Sequence, residues 1–387
     1  MNAVFAPQRE VAVLIGLRRP HQSRWDAEDS LEELAQLAIS AGAEPAFRVL
    51  QERSLPNPRT LIGRGKVEEV RAICEEEGVD LVILDDDLTG SQQRNLEGVL
   101  GRKVVDRTGL ILDIFAQRAR SKEGKLQVEL AQLHYLLPRL TGRGVELSQL
   151  GGGIGTRGPG ETQLEVDRRR IRRRIVKIEE ELQKVRRHRA LLRRGRQKQA
   201  LLTAAFVGYT NAGKSSLLNA LAHAALPVSD KFFATLDPTV RKVIVPGGRV
   251  ILLSDTVGFI RKLPHQLVAA FKATLEEVRA SDFLLHVIDI SHPDWQNQAQ
   301  AVTAILEELG AAAKPLINVY NKIDKLPYPE GVTFLARRPG SVVTSARTGT
   351  GLADLKHTIA ESLKAVEDAK ARMRSFSVGV GDEGHRL

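Results

Sequence analysis

One string restricts the fold of this chain more than any other: Gly208-Tyr209-Thr210-Asn211-Ala212-Gly213-Lys214-Ser215. It fits the phosphate-loop pattern G-x-x-x-x-G-K-[ST], which carries meaning only between a strand and a helix. The apolar run Ala204–Val207 supplies the strand before it and a helix-forming stretch follows. Such a turn needs a buried parallel strand, a covering helix, and backbone amides turned into a concavity that suits phosphate. Lys214 would set an ammonium against the β- and γ-phosphates, and the Ser215 hydroxyl is a hard oxygen suited to Mg²⁺. An α/β fold is therefore expected from about residue 200 onward.

Three further elements follow in order. Asp255-Thr256-Val257-Gly258 ends the apolar run Val250–Leu253, where a carboxylate can hold Mg²⁺ through water and the Gly258 amide can reach a γ-phosphate. Asn321-Lys322-Ile323-Asp324 follows the run Leu316–Val319. An Asp there can accept the N1–H and the 2-amino group of guanine, donors that adenine lacks. Ser345-Ala346-Arg347 follows Val342–Val343, where a backbone amide can meet the guanine O6. Between the first two lies Phe233-Ala234-Thr235-Leu236-Asp237, with Thr235 a candidate metal-binding hydroxyl. Five elements in this order point to guanine nucleotide and phosphoryl transfer, with Lys214, Thr235 and Gly258 as candidate catalytic groups and Ser215 and Thr235 as candidate metal ligands. The guanine element argues against a metabolic kinase. One part is missing. Phe259 stands where a glutamine often orients the attacking water. Slow unassisted hydrolysis is expected, with Thr256, Thr239 or a partner's group supplying the orientation.

The rest of the chain has its own pattern. Over residues 1–105, strand-like runs (Val11–Leu17, Phe47–Gln51, Leu81–Leu84, Val104–Val105) alternate with helix-like ones, which predicts a small parallel α/β domain. The string Gly63-Arg-Gly65-Lys66 precedes a helix there but lacks the full phosphate-loop spacing, so a plain strand-to-helix turn is the better reading. Leu112, Phe115, Ala119, Leu126, Leu130, Leu133, Leu137 and Leu140 follow a heptad rhythm, as do Leu164, Ile171, Ile175, Ile178, Leu182, Val185 and Leu192. Residues 106–199 are thus expected to form an antiparallel helical hairpin with a glycine-rich tip at 141–160, flanked by Arg139, Arg143 and Arg157. The expected layout closes with a nucleotide domain over 200–365 and a flexible tail over 366–387.

Charge distribution separates the hairpin from the rest. The net charge is +10, and residues 161–200 hold 15 Lys/Arg against 6 Asp/Glu, so that stretch carries nearly all of the excess. A local excess of this kind suits a polyanion such as structured RNA. A single cysteine, Cys74, excludes a disulfide framework and points to a reducing compartment. No apolar run approaches a membrane span.

The string at 151–165, Gly-Gly-Gly-Ile-Gly-Thr-Arg-Gly-Pro-Gly-Glu-Thr-Gln-Leu-Glu, followed by the arginine-rich helix and the nucleotide motifs, resembles the HflX family of ribosome-associated GTPases. The resemblance implies a cytoplasmic, Mg²⁺-dependent GTPase with GTP and GDP as ligands; a monomer is the expectation. Its implied partner is the large ribosomal subunit with its rRNA, with no DNA partner and no integral membrane association. It implies that stalled ribosomes are split or that ribosome assembly is aided. It also places the GTP contacts on the five elements above. Many members carry a further small C-terminal domain, which this sequence does not show. The alternative reading is an accessory GTPase that binds RNA during assembly or modification without acting on mature ribosomes.

Overall fold

The computed structural model describes residues 9–140, 163–198, 201–223, 231–262 and 272–379. The chain divides into two compact units at Val185/Arg186. The glycine-rich stretch 141–160, with Arg143 and Arg157, lies outside the described residues.

The first unit is an all-parallel four-stranded sheet in the order β2-β1-β3-β4, formed by β1 (Val11–Arg18), β2 (Glu44–Glu52), β3 (Leu81–Leu84) and β4 (Lys103–Asp106). Strands β1 and β3 are buried almost throughout, which is why they read as continuous apolar runs rather than alternating ones. The crossover helices are α1 (Arg24–Ala41), α2 (Arg64–Glu76) and α3 (Gly90–Leu100). Helix α1 opens on a capping box between Ser23 and Asp26 and closes on Gly42 at φ 102°, a left-handed position that favours glycine. The Gly63–Lys66 string opens α2, where the Gly63 amide donates to Gln51 Oε1 (2.8 Å) and Lys66 pairs with Glu69 (2.6 Å).

The heptad arm expected from Leu112 to Leu140 is two helices. Helix α4 (Arg107–Arg118) ends where Ala119 turns to extended backbone, and α5 (Lys122–Leu136) restarts behind a Ser121 cap. Leu112 and Phe115 are buried in α4, which packs along α1 and so belongs to the sheet domain. The heptad rhythm survived the break because both helices bury a 3–4 spaced face, but against different partners. Of these two helices, α5 is the one that pairs with the long helix α6 (Gln163–Lys198). Leu126, Ile178 and Leu182 form that seam. Lys122 meets Glu181, and Arg174 grips Glu129 through two bonds of 2.6 and 2.7 Å. Numbers rise on one helix as they fall on the other, so the pairing is antiparallel.

The second unit holds a six-stranded sheet, β10-β9-β8-β5-β7-β6. Strands β5 (Thr203–Gly208), β7 (Arg249–Asp255), β8 (Phe283–Asp289), β9 (Leu316–Asn321) and β10 (Ser341–Val343) are parallel. The sequence reading missed β6 (Thr239–Val245), which pairs antiparallel with β7 at the edge. Its one buried face, Val243 and Val245, leaves a half-polar strand that contrasts with its apolar neighbours. Helices α7 (Lys214–Ala222), α8 (Lys272–Ala280), α9 (Trp295–Glu308) and α10 (Leu352–Gly379) accompany the sheet. The core runs through Phe206, Leu217, Ile251, Leu285, Val319 and Ile359. Residues 366–379, expected as a mobile tail, continue α10. Val366 is buried, Glu367 pairs with Arg249, and Lys370 donates to Asp282 (2.5 Å). Polar composition there reflects a helix face held by ion pairs.

Candidate nucleotide site

In a parallel sheet, ligands bind beyond the carboxyl ends of the strands. The second unit brings four of the five expected elements to those ends: Gly208 from β5, Asp255 from β7, Asn321 from β9 and Ser345 just past β10. The fifth, Phe233–Asp237, precedes β6. Thr210, Lys214, Ser215, Thr235, Gly258 and Lys322 are among the residues lining one shared cavity.

The phosphate loop is closely determined. Gly213 has φ 98°, and a Cβ there would lie 2.2 Å from Asn321 Nδ2. That Asn321 amide donates to Ala212 O (2.9 Å), while Asn321 Oδ1 accepts from the Ala346 amide (3.1 Å) and the Thr344 hydroxyl (3.3 Å). One buried side chain therefore ties three sequence-distant elements together. Lys214 is buried, and its ammonium donates to the carbonyls of Gly208 (3.1 Å) and Tyr209 (2.7 Å). Burial lowers its pKa from 10.5 to about 8, with the nearby Asp255 carboxylate acting against that shift. An ammonium held mainly by neutral carbonyls is a receptor for an anion.

Three oxygens converge beside it. The Ser215 hydroxyl donates to Asp255 Oδ2 (2.6 Å) and lies 2.8 Å from the Thr235 hydroxyl. Asp255 Oδ1 is buried with no hydrogen-bond partner, and burial pushes that carboxyl's pKa up. A hard, all-oxygen donor set with an orphaned carboxylate oxygen fits Mg²⁺.

The segment after Asp255 lies directly on the phosphate loop. The Phe259 amide donates to Gly208 O (3.0 Å) and the Thr210 amide to Phe259 O (2.7 Å). Tyr209 Oη accepts from the Arg261 amide (2.7 Å), and Arg261 also pairs with Asp294. A Cβ on Gly258 would come within 2.6 Å of Thr210 Cα, so the contact admits no side chain. Thr210 Oγ1 also accepts from the Phe233 amide (3.1 Å). Leu236 and Val257 are buried and anchor the two segments. Ala234 lines the cavity, and Asp237 closes its segment before β6.

On the guanine side, Asp324 is exposed and accepts from the Ser345 hydroxyl (2.6 Å). Lys322, at φ 68°, is held by Asp289 (2.7 Å), while Ile323 packs on a small apolar cluster and Arg347 is exposed. Sequence reasoning missed Asp289, Arg261, Asp294 and Lys231, which lines the cavity. None falls in a motif, and only Asp289 has a visible cue, since it ends a strand beside the guanine element.

Three stretches match sequence families. Residues 28–116 match the family described as GTP-binding GTPase N-terminal, residues 118–196 the GTP-binding GTPase Middle Region, and residues 203–322 the 50S ribosome-binding GTPase. The GTPase HflX of Caldanaerobacter subterraneus is 57% identical over 322 residues, covering 83% of this chain and 74% of that protein. The GTPase HflX of Escherichia coli is 47% identical over 340 residues, covering 87% and 80%. The chain belongs to the HflX family of GTPases. Among solved structures, the complex of SsGBP with GDP matches with a TM-score of 0.50 and 26% identity, covering 93% of this chain and 99% of that one.

This HflX-family chain therefore binds GTP and hydrolyses it to GDP and phosphate, on the α/β fold that its phosphate loop implied. Among the described residues no helix is long and apolar enough to cross a membrane. Phe259 is buried and offers no side-chain donor to a water. The Thr256 hydroxyl is committed as well: it is fully buried and donates to Phe206 O (2.5 Å).

Proposed function

We propose that this HflX-family GTPase binds the large ribosomal subunit through rRNA and couples its nucleotide state to ribosome splitting, rescue or biogenesis. The observation that carries the reading is α6. Its Ile178–Leu182 face is taken up by α5, while Arg169, Arg170, Arg172, Arg173 and Arg187 are exposed. A helix with a dense cationic surface suits the phosphates of a folded RNA. The family description of residues 203–322 as a 50S ribosome-binding GTPase supports the same partner.

The geometry supports the following residue roles. Amides of Gly208–Ser215 cradle the phosphates, and Lys214 offsets the charge that grows on the β- and γ-oxygens as the terminal P–O bond breaks. Ser215 and Thr235 would hold Mg²⁺ by their hydroxyls with Asp255 behind them; the ion, when bound, neutralises phosphate charge. The Gly258 amide faces the γ-phosphate. Asp324 accepts from the guanine edge and the Ala346 amide meets O6. Neither Phe259 nor Thr256 orients the attacking water, which leaves Thr239 or a group supplied by the ribosome.

The test is co-sedimentation with purified large subunits on a sucrose gradient. Stable association with a non-hydrolysable GTP analogue, weaker with GDP, together with faster single-turnover hydrolysis on subunits, is the expected result. Equal, negligible association in both states would remove the reading.

A further inference from the structure

The segment that follows the guanine element carries a surface whose residues are not among those lining the nucleotide cavity. Ile323 and Leu326 pack on the cluster of Ile288, Ile290 and Tyr320, and Leu335 is buried in the same cluster. Between them the chain makes a compact knuckle. The Gly331 amide donates to Tyr328 O (3.2 Å) and the Arg337 amide to Phe334 O (3.2 Å). Leu335 turns inward, so its neighbour Phe334 is turned outward and stays 54% exposed. Tyr328 is 79% exposed, the most solvent-facing large hydrophobic side chain among the described residues.

Single exposed apolar residues need no explanation. Here, however, two of the three exposed large aromatics in the described residues sit within six positions of each other; the third, Trp25, is in the other unit. Lys325, Arg337 and Arg338 flank them, all exposed, and none has an ion pair among the described residues. Residues 325–338 hold three cations against one carboxylate, Glu330, and an aromatic pair in a net-positive segment matches what unpaired nucleotides require: ring faces for bases to stack on and cations for the phosphates between them.

We propose that the knuckle 325–338 is an RNA-binding surface that takes unpaired bases against Tyr328 and Phe334, with Lys325, Arg337 and Arg338 on the adjoining phosphates. It deepens the reading of an RNA partner above, but uses residues separate from α6. The chemistry also differs: α6 offers charge for a folded duplex, and the knuckle offers stacking for a single strand.

The experiment uses the full chain loaded with GDP, in a background with Arg168, Arg169, Arg172 and Arg173 changed to Gln, so that the helix contributes little. Fluorescence anisotropy measures binding of a labelled oligouridine and of an RNA duplex of equal length. Tyr328→Ala with Phe334→Ala should lower single-strand affinity at least about tenfold, the scale for losing stacked bases, and leave duplex affinity within about twofold. Tyr328→Phe should retain binding, because the ring is kept. Arg337→Gln with Arg338→Gln should flatten the logarithmic salt slope by about 1.4, two single-strand phosphates. Unchanged GDP affinity in each variant shows that the neighbouring guanine element is intact. The proposal is overturned if the double alanine variant binds the single strand like its parent, or loses duplex binding equally. It is also overturned if polyglutamate binds the knuckle as tightly as the oligonucleotide, since that marks an acidic protein partner. A failure of large-subunit co-sedimentation would remove the proposed function and leave the single-strand result standing.

Discussion

Both units build a sheet of mainly parallel strands, and both gather charge at the carboxyl ends of those strands, yet the two ends differ in character. In the first unit most of the buried charge among the described residues closes on itself, although Asp86 Oδ2 has no partner. Fully buried Arg107 pairs with Glu33 and with Asp85 (2.5 Å), and Asp85 also accepts from Ser30 (2.7 Å). Asp106 accepts from Gly109 N (2.8 Å), Leu88 N (3.0 Å), Tyr135 Oη (2.8 Å) and Arg139 Nη2 (2.7 Å). Arg139, expected beside the glycine-rich tip, is thus turned back onto the sheet and stacked over Tyr135. In the second unit, Lys214 rests mainly on carbonyls and Asp255 keeps an orphaned oxygen. The same architecture becomes a strut where charges close on one another and a receptor where they are left partly unanswered.

Four outcomes would sharpen or break that contrast. The largest is expected from Arg107→Ala, which strands two buried carboxylates and should cost about 3–5 kcal/mol of first-unit stability. Urea unfolding followed by Trp25 fluorescence in a Trp295→Phe background reads it, with GTP hydrolysis by the native fraction unchanged. Lys214→Ala should do the reverse, lowering kcat by about 10²–10³-fold while leaving the melting temperature level or higher, because a buried ammonium is removed. A variant that melted early and still hydrolysed GTP would merge the two classes.

Next comes Asp324→Asn, expected to weaken GTP binding by about 1–3 kcal/mol and to favour xanthosine triphosphate; competition between labelled nucleotides decides it. The smallest effect concerns pH. Lys214 has a folded pKa near 8, below its unfolded 10.5. Its burial penalty is present in full below about pH 8 and is relieved up to 10.5, so nucleotide-free stability should rise across that window. Bound phosphate favours the charged ammonium, so GTP affinity should fall by about tenfold per unit above pH 8. Affinity and stability that moved together would contradict the assignment.

Much of this was legible from residues alone. The strands β1, β3, β5, β7, β8 and β9 announced themselves as apolar runs because parallel strands are buried on both faces. The five nucleotide elements were legible because phosphate and guanine dictate residue type and spacing locally. Strand β6 was not, since an edge strand with one buried face carries only half the signal. The break at Ala119–Ser121 was hidden by a heptad rhythm that spans two helices with different partners.

What the sequence by itself determined is the class of fold, the guanine nucleotide chemistry and the location of the basic excess, because each follows from short-range pattern or from counting charge. Tertiary structure alone decided which polar groups are partnered. That Arg139 is held by Asp106 while Lys214 rests on two backbone carbonyls, that Asn321 bridges three distant segments, and that Phe334 faces water beside buried Leu335 depends on side chains that meet only after the sheets have formed. No local pattern encodes whether a charge will find its partner, because the partner is supplied by another part of the chain.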